Sequence, residues 1–185
     1  MAKILSVVPE CYVETNMAKT FLDVMGVNHQ DGCGAVAKAM RESKGLKDAF
    51  AIGLIDDDKD KSNYSKEFTL LKRLEISDKA HVELMYHDDT SHYLFVTHPA
   101  MEVLMIECAR LAGLDMKKYG LSNSLDRLKK YTKDHQADND GNIKKLFRIL
   151  SSNPKSPLGK LKATLNYMVN NTYNVDKDVL VKMLS

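Results

Sequence analysis

Three adjacent aspartates follow an apolar run, and their type and position suit a divalent metal ion. The run from Phe50 to Ile55 ends directly in Asp56, Asp57 and Asp58. Strands buried on both faces present their functional groups at the carboxyl end. Adjacent carboxylates repel one another unless a cation offsets their charge, and magnesium prefers oxygen ligands. The segment therefore predicts a magnesium site, with a solvated acidic loop as the alternative interpretation.

A further acid, Glu14, lies where the first predicted strand passes into the first predicted helix. Neighbouring strands of a parallel sheet present their carboxyl ends at the same edge. Glu14, Asp56 and Asp58 are therefore predicted to ligate one ion. Asp57, between the two aspartates, is predicted to point elsewhere.

Strand and helix patterns alternate over the first part of the chain. Residues 3–13 predict a strand that Pro9 bends or breaks. Thr15 or Asn16 is the expected cap of the first helix, which ends at Gly26. The order expected here is thus strand, then helix.

A glycine turn at Gly32 and Gly34 predicts the start of a second helix that ends at Gly45. The buried strand 50–55 follows. The next segment is charged and is expected to be mostly helical up to Leu74. The chain then returns to a strand pattern.

Residues 80–99 alternate polar and apolar side chains and predict a hairpin that turns at 88–90. Pro99 opens a strongly apolar helix that ends near Gly113. The alternation of strands and helices indicates an α/β fold with a mostly parallel central sheet flanked by helices. We expect this α/β domain to span residues 1–115.

Residues 116–185 are expected to form a helical extension packed on that domain. Leucines recur at helical spacing, and basic residues outnumber acids from Arg127 to Lys162. This stretch is the best candidate for a surface that binds a phosphate backbone, with a solvated helix face as the alternative.

Overall composition narrows the class of protein. The chain has 27 basic and 25 acidic residues and a net charge of +2, so total charge does not indicate nucleic acid or a membrane. The three cysteines form no C-x-x-C pair, which argues against disulfides and structural zinc and for a reducing compartment. The amino terminus resembles neither a signal peptide nor a membrane span, and a cytoplasmic protein is expected.

The ordered motifs resemble the Toprim domain family, in particular its small nucleases of the overcoming-lysogenization-defect branch. Val13-Glu14-Thr15 leads into Phe21-Leu22, the glycine turn follows, and 54–59 carries an Asp-x-Asp. The family pairs a glutamate after its first strand with such an Asp-x-Asp. It usually has glycine where this chain has Thr15. Glu10, four residues before Glu14, is the alternative family glutamate.

The resemblance implies a Toprim-like Rossmannoid fold and a nuclease that cleaves phosphodiester bonds in DNA or RNA with Mg²⁺, or Mn²⁺. Asp56 and Asp58 would hold the metal, and Glu14 would bind a second ion or act as general base. Lys59 or Lys61 would contact phosphate or keep the carboxylates ionised. Phage defence, with an ATPase or another defence protein as partner, is the implied setting.

Two alternatives to the nuclease remain. One is a catalytically degenerate Toprim-like module that binds nucleic acid or a protein, as the missing glycine after Glu14 suggests. The other is a response-regulator-like or related phosphate-handling domain.

Two other clusters are interpreted as structural. The acidic stretch 134–142 lacks the glutamate that a calcium loop requires and is expected to be a turn. Four histidines of the predicted hairpin region lie on mixed faces and are interpreted as partly exposed strand residues: His81, His87, His92 and His98.

Overall fold

The computed structural model describes residues 5–22, 26–44, 50–57, 68, 70–76 and 81–185. Within these residues the strands are β1 (Leu5–Pro9), β2 (Phe50–Asp56), β3 (Lys72–Arg73), β4 (Val82–Tyr86) and β5 (Ser91–Thr97). The α-helices are α1 (Tyr12–Phe21), α2 (Cys33–Lys44), α3 (Met101–Leu111), α4 (Leu125–Thr132), α5 (Gly141–Leu150), α6 (Pro157–Asn171) and α7 (Lys177–Leu184).

The strands form one mixed sheet in the order β1-β2-β5-β4-β3. Strands β1, β2 and β5 run parallel, β4 pairs antiparallel with β5, and β3 pairs antiparallel with β4. A single parallel bridge joins Val27 to Val7 on the outer side of β1. The α/β class is confirmed, and the sheet is parallel only in its core, because the predicted hairpin adds antiparallel pairs.

Helices cover both faces of the sheet, because apolar side chains of β2 point to both faces. Ala51 and Ile55 pack with α2, whereas Phe50, Ile52 and Leu54 join the larger core with α1, α3 and the carboxyl-terminal helices. Successive side chains of a strand point to opposite faces, so both sets are buried. This confirms that β2 is an interior strand buried on both faces.

Gly53 allows α2 to pack closely on β2. A Cβ atom at this position would lie 2.7 Å from Sδ of Met40, 2.8 Å from Cδ1 of Leu94 and 3.2 Å from Cγ1 of Val36. The absence of a side chain therefore sets the distance between helix and sheet.

The first strand and helix differ from their predicted bounds. β1 ends at Pro9 and α1 begins at Tyr12 with Cys11 as its N-cap, so the helix starts several residues before the predicted cap at Thr15 or Asn16. Pro9 ends the strand because proline has no N–H for further pairing. The correction moves Glu14 from the connection into the first turn of α1.

The segment before the hairpin also differs from expectation. Lys72 and Arg73 pair with β4 as a short edge strand, although the charged segment was expected to be mostly helical. Most of the remainder of that segment lies outside the described residues. The hairpin itself is confirmed, with β4 and β5 antiparallel around the predicted turn.

The carboxyl-terminal segment is helical, as predicted, and it packs on α1. The side-chain amide of Asn16 donates hydrogen bonds to the carbonyl oxygens of Ala137, at 2.7 Å, and Asp140, at 3.1 Å. Phe21 meets Phe147 edge to face, with ring centroids 5.7 Å apart. The domain boundary at residue 115 stays a prediction. None of the described helices has the length and apolar character needed to cross a membrane.

The acidic stretch 134–142 has a structural role different from a simple turn. His135–Asn139 form a short 3-10 helix, and Asp140 caps α5. Oδ1 of Asp140 accepts hydrogen bonds from the backbone N–H groups of Asn142 at 2.8 Å and Ile143 at 2.9 Å. These bonds satisfy amides that have no partner within the helix.

Candidate metal centre

The carboxyl ends of the three parallel strands meet at one edge of the sheet. Pro9 of β1 is in register with Leu54, and Asp56 of β2 is in register with Thr97 of β5. Glu10 follows β1 directly and Asp56 is the last residue of β2. The topology thus brings the acids together from distant parts of the sequence.

Glu14 is fully buried and caps its own helix. Its Oε2 accepts hydrogen bonds from the backbone N–H groups of Glu10, at 3.1 Å, and Cys11, at 3.2 Å. A glutamate at the third helical position that binds the N-cap amide is one half of a capping box. Among the described residues, Oε1 of Glu14 is buried and has no hydrogen-bond partner. One carboxylate oxygen is therefore left for a ligand.

Burial determines the protonation of Glu14. Burial, followed by the nearby charge of Glu10, raises the pKa of this carboxyl from its ordinary 4.5 to about 7, against the hydrogen bonds that lower it. A buried carboxylate without a cation is costly, so the environment favours either a proton or a positive ion.

Asp56 completes a compact set of ligand atoms with Glu14 and Cys11. One carboxylate oxygen of Asp56, one of Glu14 and Sγ of Cys11 all lie within 4.8 Å of one another. Oδ1 of Asp56 accepts a hydrogen bond of 2.9 Å from the N–H of Met101, the first residue of α3. The positive end of that helix favours the ionised carboxylate.

Glu10 lies beside these groups and is 4% exposed. Its Oε2 accepts a hydrogen bond of 3.2 Å from the backbone N–H of Asp56. Glu10 and Glu14 thus lie at the same edge, although only Glu14 belongs to the compact set of ligand atoms with Cys11 and Asp56. Which of the two corresponds to the family glutamate stays a prediction. Asp58 and Lys59, the other predicted site residues, and Lys61 lie outside the described residues.

Glu10, Cys11 and Asp56 border a cavity of about 340 Å³, while Glu14 lies buried behind them. Glu102 and Thr132 form part of its wall, and Oγ1 of Thr132 donates a hydrogen bond of 2.5 Å to Oε1 of Glu102. This bond joins α3 to α4. Lys129 of α4 and Lys133, the C-cap of that helix, also line the cavity. The lining of the cavity therefore contains both acidic residues and lysines.

An aromatic pair forms a further part of the cavity wall. The rings of Tyr12 and His29 are stacked, with centroids 4.3 Å apart and an angle of 16° between their planes. His29 is held by Oγ1 of Thr15 at 3.0 Å from Nδ1 and by Oδ1 of Asp31 at 3.1 Å from Nε2. Rings held in this way offer a flat surface for stacking.

Asp57 points away from the cluster, as predicted, and pairs with His98. Nδ1 of His98 lies 2.8 Å from Oδ2 of Asp57, and Nε2 lies 3.3 Å from Oε2 of Glu83. Arg73 forms an ion pair with Glu83. His98 thus links the ends of β2 and β5 to the edge of the sheet. His92 also differs from expectation, since it is buried rather than partly exposed.

Glu14 and Asp56 lie close together, as the sequence predicts, whereas the sequence did not point to Cys11, Lys129 or Lys133. Glu10, directly after an apolar strand, carried the same positional signal as Glu14. The lysines fell within the basic stretch noted in the tail, but helical spacing alone does not select those that reach the cavity.

Comparison with protein-family models, with curated proteins and with solved structures found no match. The resemblance to the Toprim family stays a prediction. The function proposed below is supported by the chemistry of the site.

Proposed function

We propose that the protein is a Toprim-like nuclease that cleaves phosphodiester bonds in DNA or RNA with a divalent metal ion held by Glu10, Glu14 and Asp56. The observation that carries the proposal is the buried, unpartnered Oε1 of Glu14 within the described residues, beside the carboxylate of Asp56. Asp58 is proposed as a further ligand on the resemblance alone.

The donor set fits Mg²⁺ or Mn²⁺. These ions take oxygen ligands, and Mg²⁺ binds through a few carboxylates while retaining several waters. The crowded carboxylates of Glu10 and Glu14 raise the electrostatic cost of the site when it is empty, and a divalent cation would remove that cost. When bound, the ion would polarise a phosphoryl oxygen and activate water.

The cavity suits a nucleotide of a nucleic-acid chain. Lys129 and Lys133 supply positive charge for phosphate oxygens on the same cavity as the acids. The Tyr12–His29 stack supplies a surface for an unpaired base. A volume of about 340 Å³ falls in the range of small-ligand pockets. These features together favour a single-stranded or locally opened substrate.

The decisive experiment compares cleavage by the wild type, Glu14→Gln, Asp56→Asn and Glu10→Gln. Plasmid, single-stranded DNA and transfer RNA are incubated with each protein in Mg²⁺, in Mn²⁺ and in chelator. Asp89→Asn, in the exposed hairpin turn, is the matched control. We expect cleavage by the wild type and control in either metal, and a loss of about 100-fold or more in the site variants.

Cleavage that survives chelator, or that is equal in all variants, would contradict the nuclease proposal. Metal-independent binding of nucleic acid without cleavage would instead support the non-cleaving module, for which the two cavity lysines suffice. Binding is followed by fluorescence anisotropy of a labelled oligonucleotide, so the two candidates give different results.

A further inference from the structure

Cys11 is an unusual residue for its position. It is the N-cap of α1, where serine, threonine, aspartate and asparagine are the common residues. Its backbone N–H is bound by Glu14, and its carbonyl oxygen accepts from the N–H and Oγ1 of Thr15 at 3.0 and 2.8 Å. The thiol lines the cavity. In the capping box the sulfur of Cys11 accepts a hydrogen bond from the backbone N–H of Glu14, so the side chain helps to cap α1 and also lies beside the acids.

The sulfur belongs to the same ligand set as the carboxylates. Sγ of Cys11 lies within 4.8 Å of the ligand oxygens of Glu14 and Asp56. Zinc is tetrahedral, with bonds of about 2.3 Å to sulfur and about 2.1 Å to carboxylate oxygen, so its ligand atoms lie roughly 3.6 Å apart. The three ligand atoms here, which lie within 4.8 Å of one another, would move closer together when the ion binds.

Glu14 provides the second observation that points to a cation. Its side chain is fully buried, and its Oε1 has no hydrogen-bond partner in the part of the chain that the structure describes. The backbone amides fix its other oxygen, which holds the carboxylate beside the thiol. A buried carboxylate oxygen without a partner beside a sulfur needs an explanation, and a cation bound between them would supply one.

We propose that Cys11 makes this centre a site for a thiophilic divalent ion, with Zn²⁺ bound more tightly than Mg²⁺. This inference concerns which metal ion the site of the proposed nuclease binds. Only its prediction about activity rests on the proposed function. Thiolate ligands select zinc over magnesium, and zinc is also the stronger binder to mixed sulfur and oxygen sites.

Binding replaces a proton by the metal. The thiolate is the form of cysteine that binds a metal, so the thiol loses its proton when the ion enters. The S–H bond breaks, the proton passes to solvent and the sulfur donates its electron pair to the ion. No oxidation or reduction takes place. Zn²⁺ and Mg²⁺ therefore compete for the carboxylates, and only Zn²⁺ gains the sulfur.

The test follows a signal that does not depend on nuclease activity. The full-length protein is titrated with Co²⁺ or Cd²⁺, and the ultraviolet thiolate-to-metal charge-transfer absorption is recorded. The variants are Cys11→Ser, Cys33→Ser and Cys108→Ser, the last two as matched controls. Serine is a common N-cap, so Cys11→Ser is expected to fold, and circular dichroism checks this.

We expect a band that saturates near one equivalent in the wild type and in both controls, is lost in Cys11→Ser and is displaced by Zn²⁺. Glu14→Gln should weaken Cd²⁺ binding by about ten-fold or more, as loss of one ligand does. Absence of the band in the wild type, or its persistence in folded Cys11→Ser, would overturn the inference.

Failure of this inference is distinguishable from failure of the nuclease proposal. The charge-transfer band without any cleavage supports the thiophilic site and contradicts the nuclease. Cleavage in Mg²⁺ without the band contradicts the thiophilic site alone. If both proposals hold, Zn²⁺ added at a concentration equal to that of the protein should inhibit cleavage by the wild type in Mg²⁺. Cys11→Ser should resist that inhibition.

Discussion

Glu10 and Glu14 are linked through a backbone hydrogen bond as well as by charge. The N–H of Glu10 donates to Oε2 of Glu14 at 3.1 Å, while the side chain of Glu10 accepts from the N–H of Asp56 at 3.2 Å. This chain of contacts connects the end of β1, the start of α1 and the end of β2. The two glutamates therefore hold each other beside Asp56 even though their charges repel.

The first prediction concerns pH and Glu14. The raised pKa means that the folded state binds the proton more tightly than the unfolded state does. The stability of the metal-free protein should fall as pH rises from about 4.5 to about 7 and then level off with respect to this group. Glu14→Gln removes the ionised form and should raise the melting temperature above pH 7 by several degrees.

Urea denaturation in chelator at pH 5.0 and 8.5, chosen to lie roughly on either side of this titration, measures the effect. Asp89→Asn, in the exposed turn, serves as the control. An equal effect of Glu14→Gln at both pH values would show that the carboxyl is not held in its protonated form by burial.

The second prediction concerns the lysines of α4. Lys129→Ala and Lys133→Ala should weaken nucleic-acid binding without altering the fold, because both side chains lie on the cavity rather than in the core. Each substitution should lower the slope of log affinity against log salt by about one if its lysine contacts a phosphate. Anisotropy titrations at several salt concentrations give this slope. Lys155 does not line the cavity, so Lys155→Ala should leave the slope unchanged.

The third prediction tests the aromatic wall. Tyr12→Ala should weaken binding of single-stranded oligonucleotides by roughly ten-fold to a hundred-fold, because a stacking surface for a base is lost. Tyr12→Phe keeps the ring and should bind like the wild type. Duplex binding should change less, since paired bases are not available for stacking. Equal losses on single strands and duplexes would argue against base stacking at this position.

The fourth prediction concerns packing in the carboxyl-terminal helices. A Cβ atom at Gly159 would lie 1.9 Å from the backbone oxygen of Asn153, so Gly159→Ala must displace main chain. We expect a loss of about 2 kcal/mol or more in the free energy of unfolding. Gly141→Ala is the matched control, because a Cβ there meets nothing within 4 Å. That substitution should be neutral or stabilising by up to about 1 kcal/mol.

The sequence was sufficient for the elements with a strong hydrophobic period. The buried β2, the hairpin and the helical tail follow directly from apolar spacing, because burial on one or two faces dictates that spacing. Helix α1 was placed too late because Cys11 is a rare N-cap, and the strand pattern of Val8 and Val13 continued past Pro9. Glu14 at the third helical position was the capping signal that marked the true start.

The site could be predicted only in part, because its members come from different elements. Glu14 and Asp56 meet because β1 and β2 are parallel neighbours that end at the same edge, where α1 begins, and a parallel sheet makes this predictable. The contacts of Cys11, Lys129 and His98 depend on helix rotation and on packing between layers, and these are determined by tertiary contacts rather than local pattern. Sequence spacing identified the edge of the sheet but not which side chains complete it.

Helix α1 carries Glu14 in its first turn, and its other contacts extend to the far end of the chain. Asn16 is bound to the carbonyl oxygens of Ala137 and Asp140, and the amide of Asn166 donates to the carbonyl oxygen of Phe21 at 3.0 Å. Helix α1 thus connects Glu14 and its neighbouring acids to the carboxyl-terminal segment of the chain. Any force that pulls that segment from the sheet must move Glu14 or break these bonds first.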